Sequence, residues 1–519
     1  MHADLSRLTF RPERHYSAVI AQQGRVQLDA DANEQTAIQL HQARTVAADL
    51  IGQHGGPRKY AGFRIEYVGG KHDIDTLHIH GGRYYVDGIL CDAYRPAPGT
   101  PVPDENTEDS GEQDSSAAQP PEYWTYWDQP DGHRDPEKPG DRLPSPAQNP
   151  FLVYLKVWER SVSAAEDPTL REVALGAAMP DTAARVKVVW QVLPLSLTEL
   201  GIEDAEPSKE VVRAAFDKWA LREAAPSARL AARSERPDHA DEDPCLVKPD
   251  ARYRGPENQL YRVEVHEGGE AGDATFKWSR ENGSVVFPVD ELDGTWVQLA
   301  SLGHDDKLDL DVGDRVEFTD TAYASRLEPL PLLRVEELDL PGRRVRLSAE
   351  PEQSVGRLAH LHPFLRRWDH HDGPKRKGRT TSPRGGAVPV TEGEWLPLED
   401  GVEVYFAKGG TYRTGDHWIV PARTATGSVE WPVDAARKPL LQAPAGIARH
   451  FAPLALVKGE SGAVDLRLAF GPLASSIPAA DEATLAAEAR AREEEAAAES
   501  SGSRSQTTAE AEDAVEGDN

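Results

Sequence analysis

Two imidazoles and two carboxylates stand together in Trp368-Asp369-His370-His371-Asp372, donor types that suit a first-row metal ion. Adjacent residues of an extended chain point to opposite sides, so His370 and His371 would chelate one ion poorly. The run reads as a polar loop. His78 and His80 share a face as i and i+2 of a strand, but no third ligand stands near them in the sequence. His266-Glu267 opens like a zinc helix and lacks the second histidine at the required spacing. A glycosidase carboxylate pair cannot be singled out among so many Asp and Glu. Cys91 and Cys245 are too far apart in sequence to build a disulfide framework or a cysteine metal site, and read as reduced thiols. There is no P-loop, no nucleotide-binding glycine triplet and no HExxH. Asn282-Gly283-Ser284 matches a glycosylation sequon but sits where a tight turn explains it better. The expected site set is therefore empty: no catalytic, cofactor-binding or metal residue, no cofactor, and a binding or structural protein rather than an enzyme. Trp158, Trp190, Trp278, Trp296, Trp368, Trp395, Trp418 and Trp431 raise a second reading, a sugar-stacking surface. In β-rich domains such rings pack in the core instead.

The elements around these residues are short. Forty prolines and 42 glycines in 519 residues argue for many turns and strands rather than long helices. The length suits about three domains. A net charge of −29 disfavours nucleic acid and anionic membrane as partners, since both need a basic surface. Met1–Phe10 has no apolar stretch of the kind a Sec signal needs, and no apolar run approaches a membrane span. Assembly in the cytoplasm is expected; if the protein leaves the cell, it does so by another route or by lysis.

Along the chain, Val26 and Leu28 alternate as in a short strand, and Asp29 or Asp31 is placed to cap a helix over about 32–51 that Gly55-Gly56-Pro57 would end. Leu77 and Ile79, then Gly81-Gly82, then Tyr84 and Val86 read as a hairpin, with Asp87-Gly88 as the next turn. Residues 1–94 thus form a helix-plus-hairpin module, the expected anchor. Residues 95–149 are a Pro/Gly-rich insertion whose aromatics Tyr123, Trp124, Tyr126 and Trp127 should dock on a neighbouring surface. Residues 150–250 form a β unit, with strands at Phe151–Trp158 and Val186–Val192, a helix over about 207–235 and a charged loop from Arg236 to Asp243. In residues 251–474, Leu260, Arg262, Glu264 and His266 alternate against Tyr261, Val263 and Val265. Asn282-Gly283 is the strongest hairpin signal, and residues 369–390 are a basic loop. This part reads as a sandwich or barrel. The tail, 475–519, holds twelve acidic and three basic residues and too little apolar surface to fold alone. The fold class is mainly β with a minor helical part.

Several strings are more specific than any of these. Arg14-His15-Tyr16-Ser17 with Gln22-Gln23-Gly24-Arg25-Val26-Gln27-Leu28-Asp29-Ala30-Asp31-Ala32-Asn33-Glu34-Gln35 resembles the opening of a family of large, uncharacterised bacterial proteins. Tyr154-Leu155-Lys156-Val157-Trp158-Glu159-Arg160, Phe276-Lys277-Trp278-Ser279-Arg280-Glu281-Asn282-Gly283-Ser284 and Tyr412-Arg413-Thr414-Gly415-Asp416-His417-Trp418 belong to the same resemblance. It spans most of residues 5–458. The chain departs at Ala32, where the family tends to have Trp, and in the insertion and the tail. Members look like partners of phage-tail-like contractile injection systems. The resemblance implies a structural or adaptor component at the baseplate or in an appendage, oligomeric within the particle and partnered by other particle proteins. The alternative is a carbohydrate-binding or carbohydrate-degrading surface protein whose partner is a cell-surface glycan. The family supplies no catalytic residue to carry over.

Overall fold

The computed structural model describes residues 1–70, 73–96, 122–146, 149–176, 179–204, 206–234, 253–303, 307–371, 384–459 and 462–473. The loop expected at Arg236–Asp243, Cys245, Asp372 and the tail beyond residue 473 lie outside them. The fold is mainly β, with many small sheets and few helices.

Helix α1 (Asp29–Ile51) starts three residues earlier than its pattern predicts. The Asp31 carboxylate accepts the Leu28 N–H at 3.1 Å and so caps the first turn. Val26 and Leu28 are consequently not a strand but exposed coil. The helix ends at Gly52, whose φ of +91° only glycine takes readily. Gly55-Gly56 is not its terminator, because those residues belong to the strand His54–Pro57.

The hairpin expected across Gly81-Gly82 does not form. The strand Asp73–His80 pairs with Ile65–Gly70 and Tyr123–Thr125, whereas Arg83–Val86 pairs with His54–Pro57 and Ile89–Asp92. Gly82, at φ +131°, packs its backbone on Gly62 and carries the chain from one sheet to the next. Asp87-Gly88 is the true two-residue turn, with φ of +47° and +78° and Val86 opposite Ile89. A Cβ at Gly88 would stand 2.1 Å from the Arg44 carbonyl of α1. That glycine lets helix and hairpin touch, and the Arg44 guanidinium then reaches Glu159 at 2.6 and 2.8 Å.

Phe151–Val162 and Arg185–Ser196 form a twelve-residue antiparallel pair, and His450–Val457 adds on the other side. One face packs Val153, Leu155 and Trp190 against Phe63, Leu77, Tyr84, Val86 and Leu454 in a single core. The boundaries expected at 94 and 150 therefore run through one hydrophobic core. Ala469–Phe470 also returns to pair parallel with His54–Pro57. The opposite face is covered by α2 (Lys209–Ala224), through Val212, Phe216 and Trp219. This helix stops well short of 235, because Pro226 cannot continue it. Leu230–Ser234 is instead a strand paired with Val402–Phe406. The island at 123–127 docks on this unit as expected, with Tyr123 stacked on His78 and Tyr126 buried.

Most of the remaining strands lie in a five-stranded sheet, ordered 388–389, 275–279, 259–265, 417–423 and 428–429, and a closed six-stranded barrel. The barrel strands are Val286–Asp293, Trp296–Leu299, Arg344–Leu347, Leu332–Asp339, Arg315–Thr319 and Phe364–Trp368. Phe287, Val297, Val316, Val335, Leu347 and Leu365 fill its interior. Asn282 and Gly283 take the positive φ that the turn signal demands, +53° and +66°. They do not close a hairpin, however, because the flanking strands pair elsewhere. The turn carries the chain from sheet to barrel. Trp158, Trp190, Trp278, Trp368 and Trp418 are buried, and Trp296, Trp395 and Trp431 are half-buried. No helix among the described residues is long and apolar enough to cross a membrane.

Candidate functional site

The strand Gln259–Val265 is buried on both faces. Its period of two sends Tyr261, Val263 and Val265 into the apolar core of the sheet and places Arg262 and Glu264 on the other side. Glu264 has Lys277 opposite it on one neighbouring strand and His417 on the other. The barrel meets this polar face with Glu317, Arg366 and Trp368, and Glu317 stands opposite Arg366 in register. The first residues of the chain close the space. Asn282 donates its amide to the carbonyls of Met1 (3.0 Å) and Ala3 (2.8 Å), and Ser161 Oγ donates to the His2 carbonyl (2.8 Å).

The result is a buried charged centre. Glu264 Oε2 accepts from Arg262 Nε at 2.6 Å and lies 2.8 Å from His2 Nε2, while its Oε1 is 3.5 Å from Lys277 Nζ. Glu317 Oε2 accepts from Lys277 Nζ at 2.9 Å and from Trp368 Nε1 at 3.1 Å. The Lys277 ammonium sits 4.3 Å from the centroid of the Trp368 ring. His2 bridges the two sides. A neutral ring with its proton on Nε2 donates to Glu264 and accepts at Nδ1 from Arg366 Nη1, 2.9 Å away. Burial pushes Glu264 and Glu317 toward protonation, but their partners outweigh it: the Arg262 and Lys277 charges and the His2 hydrogen bond hold Glu264 well below the usual carboxylate range, and Lys277 with Arg366 lowers Glu317. The histidines go the other way from charging. Burial and then Lys277 push His266 down to about 3. Burial and then Arg262 hold His2 and His417 well below their ordinary value.

Chemically, these are ionised carboxylates, each with its Oε2 already held by two donors, beside histidines too depressed to act as bases near neutral pH. The arrangement holds elements together; it is not set up to move a proton. Among the described residues no group of three His, Cys, Asp or Glu is placed to hold a metal.

The other candidate residues are scattered. His78 stacks on Tyr123 with ring centroids 4.0 Å apart, while His80 meets Arg64 and Glu66. Cys91 is buried, and desolvation pushes its thiol up to about 12. The polar loop expected at 368–372 needs correction. Trp368, Asp369 and His370 are buried, and His371 is exposed. Asp369 accepts the Arg280 N–H at 2.8 Å and pairs with Arg367 at 3.2 Å, and His370 Nε2 reaches the Gly386 carbonyl at 2.9 Å. His370→Ala is accordingly expected to cost about 1–3 kcal/mol, and His371→Ala less than about 0.5 kcal/mol. Urea unfolding of the two variants side by side checks this, and equal midpoints would contradict it. The alternation at 260–266 was the visible signal of the polar centre. That its charged side faces inward was not readable.

A second feature lies at the surface. Ser6 and Thr9 tie the start of the chain to α1 through Asp29 (2.6 and 2.9 Å) and Glu34 (2.5 Å). Residues 11–28 then leave the body as an exposed arm that turns at Gly24. Val19 N–H to Gln35 Oε1, at 2.7 Å, is its main tether to the helix. Tyr16 is 58% exposed, Ile20 82% and Val26 84%. On α1, Val46 and Leu50, one turn apart, are exposed as well.

A family model described as a family of unknown function, DUF6519, matches residues 1–127, 143–228 and 201–465. No curated protein and no solved structure matches the chain.

Proposed function

Because the chain belongs to DUF6519, a family of unknown function, we propose its role from its surface: it is a non-enzymatic structural or adaptor component of a phage-tail-like contractile injection particle, seated at the baseplate or in an appendage. The observation that supports this reading is the arm. A chain that shows Tyr16, Ile20 and Val26 to water along one short arm offers a partner a run of apolar side chains, where singly scattered ones would carry no meaning. Apart from the turn at Gln22–Arg25, the tether at Val19 and the bonds of Leu28 at the start of α1, the backbone of residues 16–28 has no hydrogen-bond partner among the described residues, so its polar groups are open to an added strand. Residues 5–28 carry Arg7, Arg11, Arg14 and Arg25 against Glu13 alone, on a chain whose net charge is −29. That charge selects an acidic particle protein as the occupant. Stacking on sugar has less support: five of the eight tryptophans in question are buried in the cores.

The test is incorporation. Removing residues 1–60 would also remove the strand His54–Pro57 and the contacts of Ser6 and Thr9, so point changes are cleaner. Ile20→Asp combined with Val26→Asp is expected to unfold at the parent's midpoint, within about 0.5 kcal/mol, yet to drop out of sheath-and-tube particles on co-purification. Parental incorporation of the double variant would overturn the assignment of the arm. A parent that never co-purifies with such particles would overturn the assembly role itself.

A further inference from the structure

The polar centre encloses a cavity of about 220 Å³, lined by His2, Trp158, Arg262, Glu264, His266 and Arg366, among others. Its charges do not balance locally. Arg160 is paired with Glu166, Glu159 with Arg44, and Glu328 with Arg326. Arg262 and Lys277 are paired with Glu264 and Glu317. Arg366 is left over. It is 7% exposed, its Nη1 meets a neutral His2, its guanidinium lies 5.3 Å from the Phe364 ring, and no carboxylate of the described residues forms an ion pair with it. Glu317, opposite it in the ladder, gives its oxygen to Lys277 and Trp368 instead.

Three nine-tenths-buried groups on this lining also have a polar atom without a protein partner: Arg366 Nε, Trp158 Nε1 and His266 Nδ1. The first two are donors only, and a neutral imidazole can present its proton at Nδ1. A buried donor left without an acceptor, and a buried cation left without a counter-charge, are both costly. Gathered on one cavity, they describe what would satisfy them: a group made of acceptors that carries negative charge. We propose that this cavity is a receptor for a small oxyanion, a phosphate or carboxylate group, held by Arg366, Trp158 and His266. The volume agrees. At about 220 Å³ it far exceeds the roughly 10–15 Å³ that one water needs, ample for a hydrated tetrahedral oxyanion or a carboxylate. The depressed histidines report the positive field: after burial itself, Arg262, Arg366 and Lys277 are the groups that keep His2 and His266 neutral. Access lies at the rim, where Pro329, Ala445 and Ala448 are exposed. Bound there, the oxyanion would brace the barrel strand of Arg366 against the sheet and against Trp158.

This inference does not depend on the assembly role, and its test uses the isolated full chain. Inorganic phosphate, sulfate and acetate are titrated in a calorimeter at pH 7, with chloride at matched ionic strength as the blank. A saturable heat with phosphate or sulfate and none with acetate identifies a tetrahedral oxyanion; a saturable heat with acetate identifies the carboxylate form. Trp158→Phe keeps a six-membered aromatic ring and removes the pyrrole edge with its N–H, and is expected to weaken the affinity about tenfold or more. Arg366→Lys keeps a charge without the guanidinium fork and is expected to weaken it similarly. If none of the three anions gives a saturable heat, or if both variants bind as the parent does, the receptor does not exist.

Discussion

Thermal stability is expected to fall steeply as the pH is lowered from about 6.5 toward 4 at constant ionic strength. His266 has its pKa pushed from 6.5 to about 3 by burial and by Lys277, and His370 has its own pushed from 6.5 to about 4, chiefly by burial. In the unfolded chain both take up protons as the pH passes the ordinary histidine value. In the folded protein they do not. A depressed folded pKa gives stability that is complete above the unfolded value and lost as pH falls toward the folded one. At 1.36 kcal/mol per unit, His266 alone accounts for about 3 kcal/mol by pH 4. His370 adds a smaller share, because the two rings feel each other and do not add fully. Glu264 and Glu317, also depressed, act with the same sign below about 4.5. Asp314 and Glu399, raised by burial, offset part of this in the acid range. Against a typical total of about 5–15 kcal/mol the net loss is large. Circular dichroism melts at pH 7, 6, 5 and 4 check it, and His266→Gln should flatten the slope. A melting temperature that stays level from pH 7 to 5 would mean that these rings charge freely in the native state.

What could be read in advance follows from the range of the signals. The β-prone runs at Phe151–Trp158 and Val186–Val192 were legible because their patterns are local, and they pair along twelve residues as such runs should. The Asp87-Gly88 turn was legible because its two positive φ angles leave little choice of residue. The same signal misled at Asn282-Gly283. The turn is real, but a turn does not specify which strands pair beyond it, and here the chain leaves the sheet for the barrel. Gly81-Gly82 failed for a related reason: its glycines serve a close backbone approach to Gly62, not a reversal. The end of α2 was readable from Pro226 and was missed. The charged centre was legible only in its strand. It joins His2 to residues more than 250 positions away, and alternation shows that Arg262 and Glu264 share a face without showing that a barrel covers it.

The barrel's hold on that face makes Trp368 the side chain whose loss should cost most. It is fully buried among Leu332 and Ala387, donates Nε1 to Glu317 and lies under the Lys277 ammonium. Removing a buried indole costs about 3–5 kcal/mol through transfer and the cavity left behind. Here two further terms add to it. Lys277 loses a desolvated cation–π contact, of order 1–2 kcal/mol, and Glu317 loses a donor in a place where few others can reach it. Trp368→Ala is therefore expected to lower the unfolding free energy by at least about 4 kcal/mol, while Trp368→Phe, which keeps most of the ring and loses the N–H, should lose about 1–2 kcal/mol. Trp395 is the control. It is half-buried and stacks under Arg233 with the guanidinium 4.1 Å from its ring, so its replacement by Ala should cost about 1 kcal/mol. Urea midpoints at constant m-value order the three variants. If Trp368→Ala and Trp395→Ala fell together, the barrel and the sheet would be held by something other than the Lys277–Glu317–Trp368 contact.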